Sequence, residues 1–192
     1  MSLTLLDWRR RVAALYADVR ATSLADPRGA LERFRAGRQE LFTSHPDRPG
    51  GPLPVYWPHD PALRFEAEVD TAVEPVPMLV ERSDGATVPF TRFGTVHLPI
   101  GDLDVFWLEG YGGGLFLPFR DGTCGTSSYG GGRYLLDTVK GADLGGAGGR
   151  LVLDFNYAYH PSCFYSDEWS CPLAPPGNRL PGPIEAGERV PG

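Results

Sequence analysis

The stretch Leu63-Arg64-Phe65-Glu66-Ala67-Glu68-Val69-Asp70 alternates strictly: Leu63, Phe65, Ala67 and Val69 fall on one face, and Arg64, Glu66, Glu68 and Asp70 on the other. A period of two with one apolar and one charged side predicts a β-strand with core on one face and water on the other. Further strands are expected at residues 76–82 and 86–93, joined by the turn Ser83-Asp84-Gly85. Others follow at 95–99, 103–109 and 114–119. Six short strands at this spacing predict an antiparallel meander that curls into a barrel or a sandwich.

Composition supports a β-rich, loop-rich chain. The 192 residues include 25 glycines and 19 prolines, about twice the ordinary share, and both weaken helix interiors. Helices are expected only at the N-terminus. From Leu5 to about Thr22, Trp8, Val12, Leu15, Tyr16 and Val19 share one helical face, and Thr4 with Asp7 resembles a capping box. A second helix starts at Asp26 with Pro27 in its first turn, buries Leu31, Phe34, Leu41 and Phe42, and ends at His45-Pro46. Its Arg28, Arg33, Arg35 and Arg38 read as a solvated face. Residues 46–61 read as an ordered surface connection that packs Tyr56 and Trp57 onto the body. The expected organisation is a single domain, mainly β with N-terminal helices (α+β): a helical segment 1–45, a β-rich body 60–160 and a wrapped, proline-rich, irregular tail 161–192.

The net charge of −6 argues against binding a phosphate backbone. With no long apolar run and no signal-peptide pattern, neither nucleic acid nor a membrane is an expected partner, and the cytoplasm is the expected location.

Residues 151–160 carry the most chemistry. Continued alternation would put Asp154, Asn156 and His160 on one side of a strand, with about 3.3 Å of rise per residue. Buried polar groups need partners, and Arg133, after the glycine-rich loop 121–132, is the obvious cation. Two readings stand: an Asp154–Arg133 pair that pins the tail, or a polar ligand held by Arg133, Tyr134, Asp154 and Asn156. The odd cysteine count, Cys124, Cys163 and Cys171, argues against a secreted disulfide framework. His160, Cys163 and Cys171 give only three metal ligands, so buried thiols, a Cys163–Cys171 disulfide and a zinc site all remain open, with no metal the default. Cys124 lacks a visible base. The runs Gly112–Gly114 and Gly130–Gly132 lack a nucleotide-loop ending, and His45, His59 and His97 are scattered. Glu185 and Glu188 could pair as carboxylates.

Three ordered blocks then carry a family resemblance: residues 119–134, residues 154–161 with Cys163 and Tyr165, and residues 171–180 running into 184–188. Together they resemble the bacterial and archaeal family catalogued as domain of unknown function 1684, over nearly the whole chain. Asp121, Tyr129, Arg133, Tyr134, Asp154, Asn156, Tyr159, Cys163, Tyr165, Cys171, Asn178, Glu185 and Glu188 sit at matching positions. The family pattern has asparagine where this chain has His160, which weakens a mechanism resting on that imidazole. The resemblance assigns no catalytic role to these residues and leaves any cofactor unknown.

The leading expectation is a small polar or anionic molecule bound at a barrel end by Asp121, Tyr129, Arg133, Tyr134, Asn156, Tyr159, Asn178 and Glu188. If there is catalysis, Asp154 or Glu185 is the acid/base candidate. One alternative is a non-catalytic interaction or scaffold module using exposed aromatics such as Trp57 or Trp169. Another, by fold analogy, is a flavin-binding split barrel. A homodimer is compatible with each.

Overall fold

The computed structural model describes residues 3–47 and 52–192; residues 48–51 of the expected 46–61 connection lie outside the described residues. Two helices open the chain, α1 (Leu3–Thr22) and α2 (Pro27–Thr43). Asp26 caps α2 by accepting the Gly29 N–H at 3.0 Å, and Pro27 occupies the first turn, where its missing donor costs nothing. The expected Thr4–Asp7 capping box does not form as read: α1 already includes Leu3, and Asp7 pairs with Arg10 at 2.8 Å. The helices interlock through Tyr16 and Phe34, whose ring centroids lie 5.3 Å apart, and Phe34 packs edge-on against Tyr157 at 4.9 Å. The helical pair is thereby sealed onto the second half of the chain.

Among the described residues ten strands follow, β1 (Val55–Tyr56), β2 (Arg64–Glu68), β3 (Val76–Glu81), β4 (Thr87–Leu98), β5 (Gly101–Leu108), β6 (Gly114–Phe119), β7 (Arg133–Asp137), β8 (Gly146–Ala147), β9 (Arg150–Asp154) and β10 (Glu188–Arg189). A short helix, α3 (Ser162–Tyr165), sits between the last two. The protein is mainly β with N-terminal helices. Strands β3 to β7 form an antiparallel five-stranded meander, β2-β9-β8 a second sheet and β1-β10 a two-stranded ribbon. The arrangement is sandwich-like, and among the described residues no barrel closes.

Two strand expectations need correction. Residues 87–98 form one strand, with a bulge between Arg92 and Gly94, where two were expected. And β2 leaves the meander to pair with β9, Arg64 opposite Asp154. Gly94 explains how both hold: a Cβ there would lie 2.4 Å from Val69 Cγ1 and 2.9 Å from the Asp70 carbonyl. Only glycine lets β4 pass so close that Asp70 and Thr95 exchange backbone hydrogen bonds of 2.8 and 3.0 Å, stitching the two sheets together.

Strand β9 stops at Asp154. That carboxylate accepts the Asn156 N–H at 3.0 Å and caps a 3-10 turn over Phe155–Tyr157. The alternation read through residue 160 therefore breaks, and Asp154, Asn156 and His160 do not line one strand face. The tail wraps the body as expected. Leu173 donates to the Glu81 carbonyl, Leu180 to that of Arg120 and Glu188 to that of Ala158, each at 2.8 Å. Among the described residues no helix is long and apolar enough to cross a membrane.

Candidate functional site

Arg133 opens β7, immediately after Gly132 (φ +94°), where a Cβ would meet the Phe119 carbonyl at 2.7 Å. The left-handed turn drives the arginine inward, and its side chain is 0% exposed. Its Nη1 donates to the Ala186 and Glu188 carbonyls at 2.5 and 3.2 Å. Its Nη2 donates to Ile184 O at 2.7 Å and to Asp121 Oδ2 at 3.3 Å. The guanidinium lies between the Trp57 and Phe119 rings, 4.9 and 5.0 Å from their centroids. Nε is buried with no partner among the described residues. Burial lowers the pKa of Arg133, and the charge of Asp121 opposes the shift. Asp121 also accepts from Thr123 Oγ1 at 2.9 Å and from Ile184 N at 2.6 Å.

A second buried carboxylate, Glu188, is the neighbouring knot. Its Oε1 accepts from Arg38 Nε, and its Oε2 accepts from His160 N and from the Tyr165 hydroxyl, each at 2.7 Å. Burial would lower the pKa of Arg38, but Glu188, joined by Tyr56 and Tyr16, outweighs it and holds the guanidinium firmly charged. Burial, seconded by Glu188, raises Tyr165. His160 Nε2 accepts the Tyr129 N–H at 3.2 Å, which places the ring proton on Nδ1. Nδ1 has no hydrogen-bond partner among the described residues and lies 3.9 Å from Glu188 Oε2. Burial pushes the pKa of His160 down to about 4 against the pull of Glu188, with Arg133 and Arg38 adding to the fall.

The structure thus gathers Asp121, Arg133, Glu188, His160, Tyr165 and, through the Arg38 guanidinium 4.7 Å over its ring, Tyr159. The other candidates stand apart. Asp154 does not meet Arg133: it accepts from Asn156 Nδ2 at 2.8 Å, and Asn156 in turn grips the Asp60 backbone through bonds of 2.8 and 2.9 Å. Burial raises the Asp154 carboxyl. Asn178 holds Asp104 N at 2.7 Å and the Pro118 carbonyl at 2.5 Å, fastening the tail to β5 and β6. Tyr134 donates to the Pro172 carbonyl, and Glu185 is exposed. Cys124, Cys163 and Cys171 are free thiols, and among the described residues no group of three or more His, Cys, Asp or Glu is placed to hold a metal ion. Tyr129 receives the Cys163 thiol at 3.8 Å.

Sequence reasoning missed Arg38, placed on the solvated face of its helix. It falls four residues after Phe34 and three before Leu41, so the same periodicity that marks those two as buried could have found it. Trp57 packs onto the body, as expected for residues 46–61, and covers Arg133, so it does not supply the exposed aromatic of the scaffold alternative; Trp169 is half-buried against His45, 5.7 Å between centroids.

Two open clefts, of about 820 and about 370 Å³, lie elsewhere. Neither is lined by Asp121, Arg133 or Glu188, and the hydrogen bonds of this polar centre tie the tail to the body. The exposed chemistry sits on the outer face of the meander. Register aligns Pro77, Thr91, Trp107 and Leu115 in one row and Leu79 with Pro89 in the next. Leu79 is 68% and Trp107 46% exposed, and Tyr111 projects fully from the β5–β6 turn. Glu81 and Glu109 flank these rows, and Glu109 accepts from Thr91 Oγ1 at 2.6 Å.

Residues 53–189 match the family model described as a protein of unknown function (DUF1684). Among solved structures, the solution NMR structure of an uncharacterized protein from Haloarcula marismortui is similar: 34% identity, covering 88% of this chain and 96% of that one, with a TM-score of 0.59. No curated protein matches.

Proposed function

For this chain, which belongs to the DUF1684 family, we propose the role of a non-catalytic binding module that docks a protein segment on the outer face of its meander. The observation that carries this reading is the exposure of the large apolar side chains Leu79 and Trp107 in neighbouring rows of the meander and of Tyr111 in the adjoining turn, flanked by carboxylates. Large apolar side chains grouped on a surface mark interaction sites, and aromatic residues are favoured anchors in them. Charge selects the occupant. A second copy would set Glu81 and Glu109 against their equivalents in a chain already carrying −6. A segment with apolar side chains beside Lys or Arg would neutralise them.

The reading in which Arg133 grips a small anion has one observation in its favour, the partnerless Nε. The guanidinium carbon beside that atom lies 4.9 and 5.0 Å from the centres of the Trp57 and Phe119 rings, and the other guanidinium nitrogens already hold the tail.

Selection from a random displayed-peptide library on the full chain tests the proposal. Enriched peptides should combine an aromatic or aliphatic residue with adjacent Lys or Arg, and should lose at least about tenfold in affinity for a Leu79→Ser, Trp107→Ser double variant. Enriched peptides that are acidic, or that bind the variant equally well, would refute it, as would a failure to enrich any.

A further inference from the structure

We propose that Cys163 and Cys171 form a reactive dithiol that reduces low-molecular-weight disulfides, with Cys163 the attacking and Cys171 the resolving sulfur. This site is separate from the docking face and independent of it.

The geometry is asymmetric in the required sense. Cys163 lies on α3, just after Pro161, and is 8% exposed, whereas Cys171 is 2% exposed. The inner sulfur is held in place by the β3–β4 turn: Ser83 N donates to the Cys171 carbonyl at 2.9 Å, Cys171 N donates to Ser83 Oγ at 3.1 Å, and Arg82 Nε donates to Ser170 Oγ at 2.7 Å. The Cys163 N–H then donates to Cys171 Sγ at 3.4 Å, so the two residues touch although eight positions apart. Tyr129 stands over the outer sulfur with its hydroxyl 3.8 Å from Cys163 Sγ, and its ring packs on Phe164 at 5.6 Å.

The electrostatics divide the same way. A hydrogen bond shared with Cys171, then others from Ser83 and Tyr129, draw the Cys163 thiol down to about 6 against its burial, while Cys171 is pushed up. Among the described residues Tyr134 and Lys140 also face the pair, and Asp167 faces Tyr129. A thiol lowered in this way gives up its proton more readily than its neighbour, and the thiolate is the nucleophilic form.

The chemistry balances with a disulfide R–S–S–R as oxidant. The Cys163 thiolate attacks one sulfur, the R–S–S–R bond breaks, and RS⁻ leaves and takes a proton from water. Cys171 gives its proton to solvent and attacks Cys163 Sγ, closing the intramolecular disulfide and expelling the second RS⁻. Two electrons pass from the cysteine pair to the oxidant, and two RSH are released. The near-buried site admits a small disulfide more readily than a protein chain.

Oxidised glutathione is the probe, with the full-length protein quenched by N-ethylmaleimide and mapped by peptide mass spectrometry. The wild type should lose the maleimide label at Cys163 and Cys171 together while Cys124 keeps its own. Cys171→Ser should stop at one glutathione on Cys163, and Cys163→Ser should leave Cys171 unmodified. In Tyr129→Phe, the pH midpoint for alkylating Cys163 should move up from about 6. Retention of both labels in the wild type, glutathione only on Cys124, a wild-type midpoint near the ordinary thiol value of about 8.5, or labelling only after unfolding would each overturn the proposal.

Discussion

His160 makes the protein acid-sensitive in a window that one substitution should close. Its imidazole is buried neutral, with a folded pKa of about 4 against an ordinary 6.5. A depressed histidine means that the unfolded chain binds the proton first, so stability is complete above about pH 6.5 and is lost as pH falls towards 4. Integrating that difference gives about 2 kcal/mol lost by pH 5 and about 3 kcal/mol by pH 4. The buried carboxyls Asp154 and Asp137 are raised by burial and act in the opposite sense, their contribution fading as pH rises. The absolute profile therefore mixes terms, and a comparison isolates one. In His160→Gln, the side-chain amide reaches as far as the imidazole Nε2, so its oxygen can accept the Tyr129 N–H that Nε2 now accepts, and no titration follows. Arg38, Arg133 and Glu188, the charged groups facing the ring, are unchanged. Urea unfolding followed by tryptophan fluorescence, repeated between about pH 7 and pH 4, should show the wild type losing about 3 kcal/mol relative to the variant. Parallel profiles for the two proteins would refute the assignment of a neutral, acid-labile imidazole.

Arg133→Lys keeps the charge but not the fork that binds Asp121, Ile184, Ala186 and Glu188, so it should lower the unfolding free energy by about 3 kcal/mol in the same urea assay; a loss under about 1 kcal/mol would mean the tail is held otherwise. Gly187 (φ +75°) and Gly85 (φ +80°) share a left-handed backbone, but a Cβ at Gly187 would lie 2.4 Å from the Ala158 carbonyl and one at Gly85 would meet nothing. Gly85→Ala should therefore cost about 1 kcal/mol and Gly187→Ala at least about 3 kcal/mol, measured by chemical denaturation; equal costs would remove the close approach as the reason.

Much of the local structure was legible without coordinates. Alternation located β2, the strand expected at residues 114–119 is β6, the Asp26-Pro27 pair located the start of α2, and Ser83-Asp84-Gly85 located a turn in which Ala86 N donates to Asp84 at 3.1 Å. Local reasoning failed where a side chain captured its own backbone: nothing in the alternation of residues 151–160 reports that Asp154 will cap a 3-10 turn and end the strand. It failed again at Arg38, since a charged residue on an apolar stripe looks solvated until Glu188, 150 positions away, is brought beside it.

Family membership, the mainly β class and the identity of most residues that become buried polar anchors belong to the sequence by itself, because periodicity, turn chemistry and motif spacing act over a few neighbouring residues. The pairing of β2 with β9, the choice of Asp121 over Asp154 as the carboxylate beside Arg133, and the contact between Cys163 and Cys171 belong to the tertiary structure alone. A desolvated charge must take whichever partner the packed chain delivers within hydrogen-bond reach, and that depends on contacts between segments that are remote in sequence.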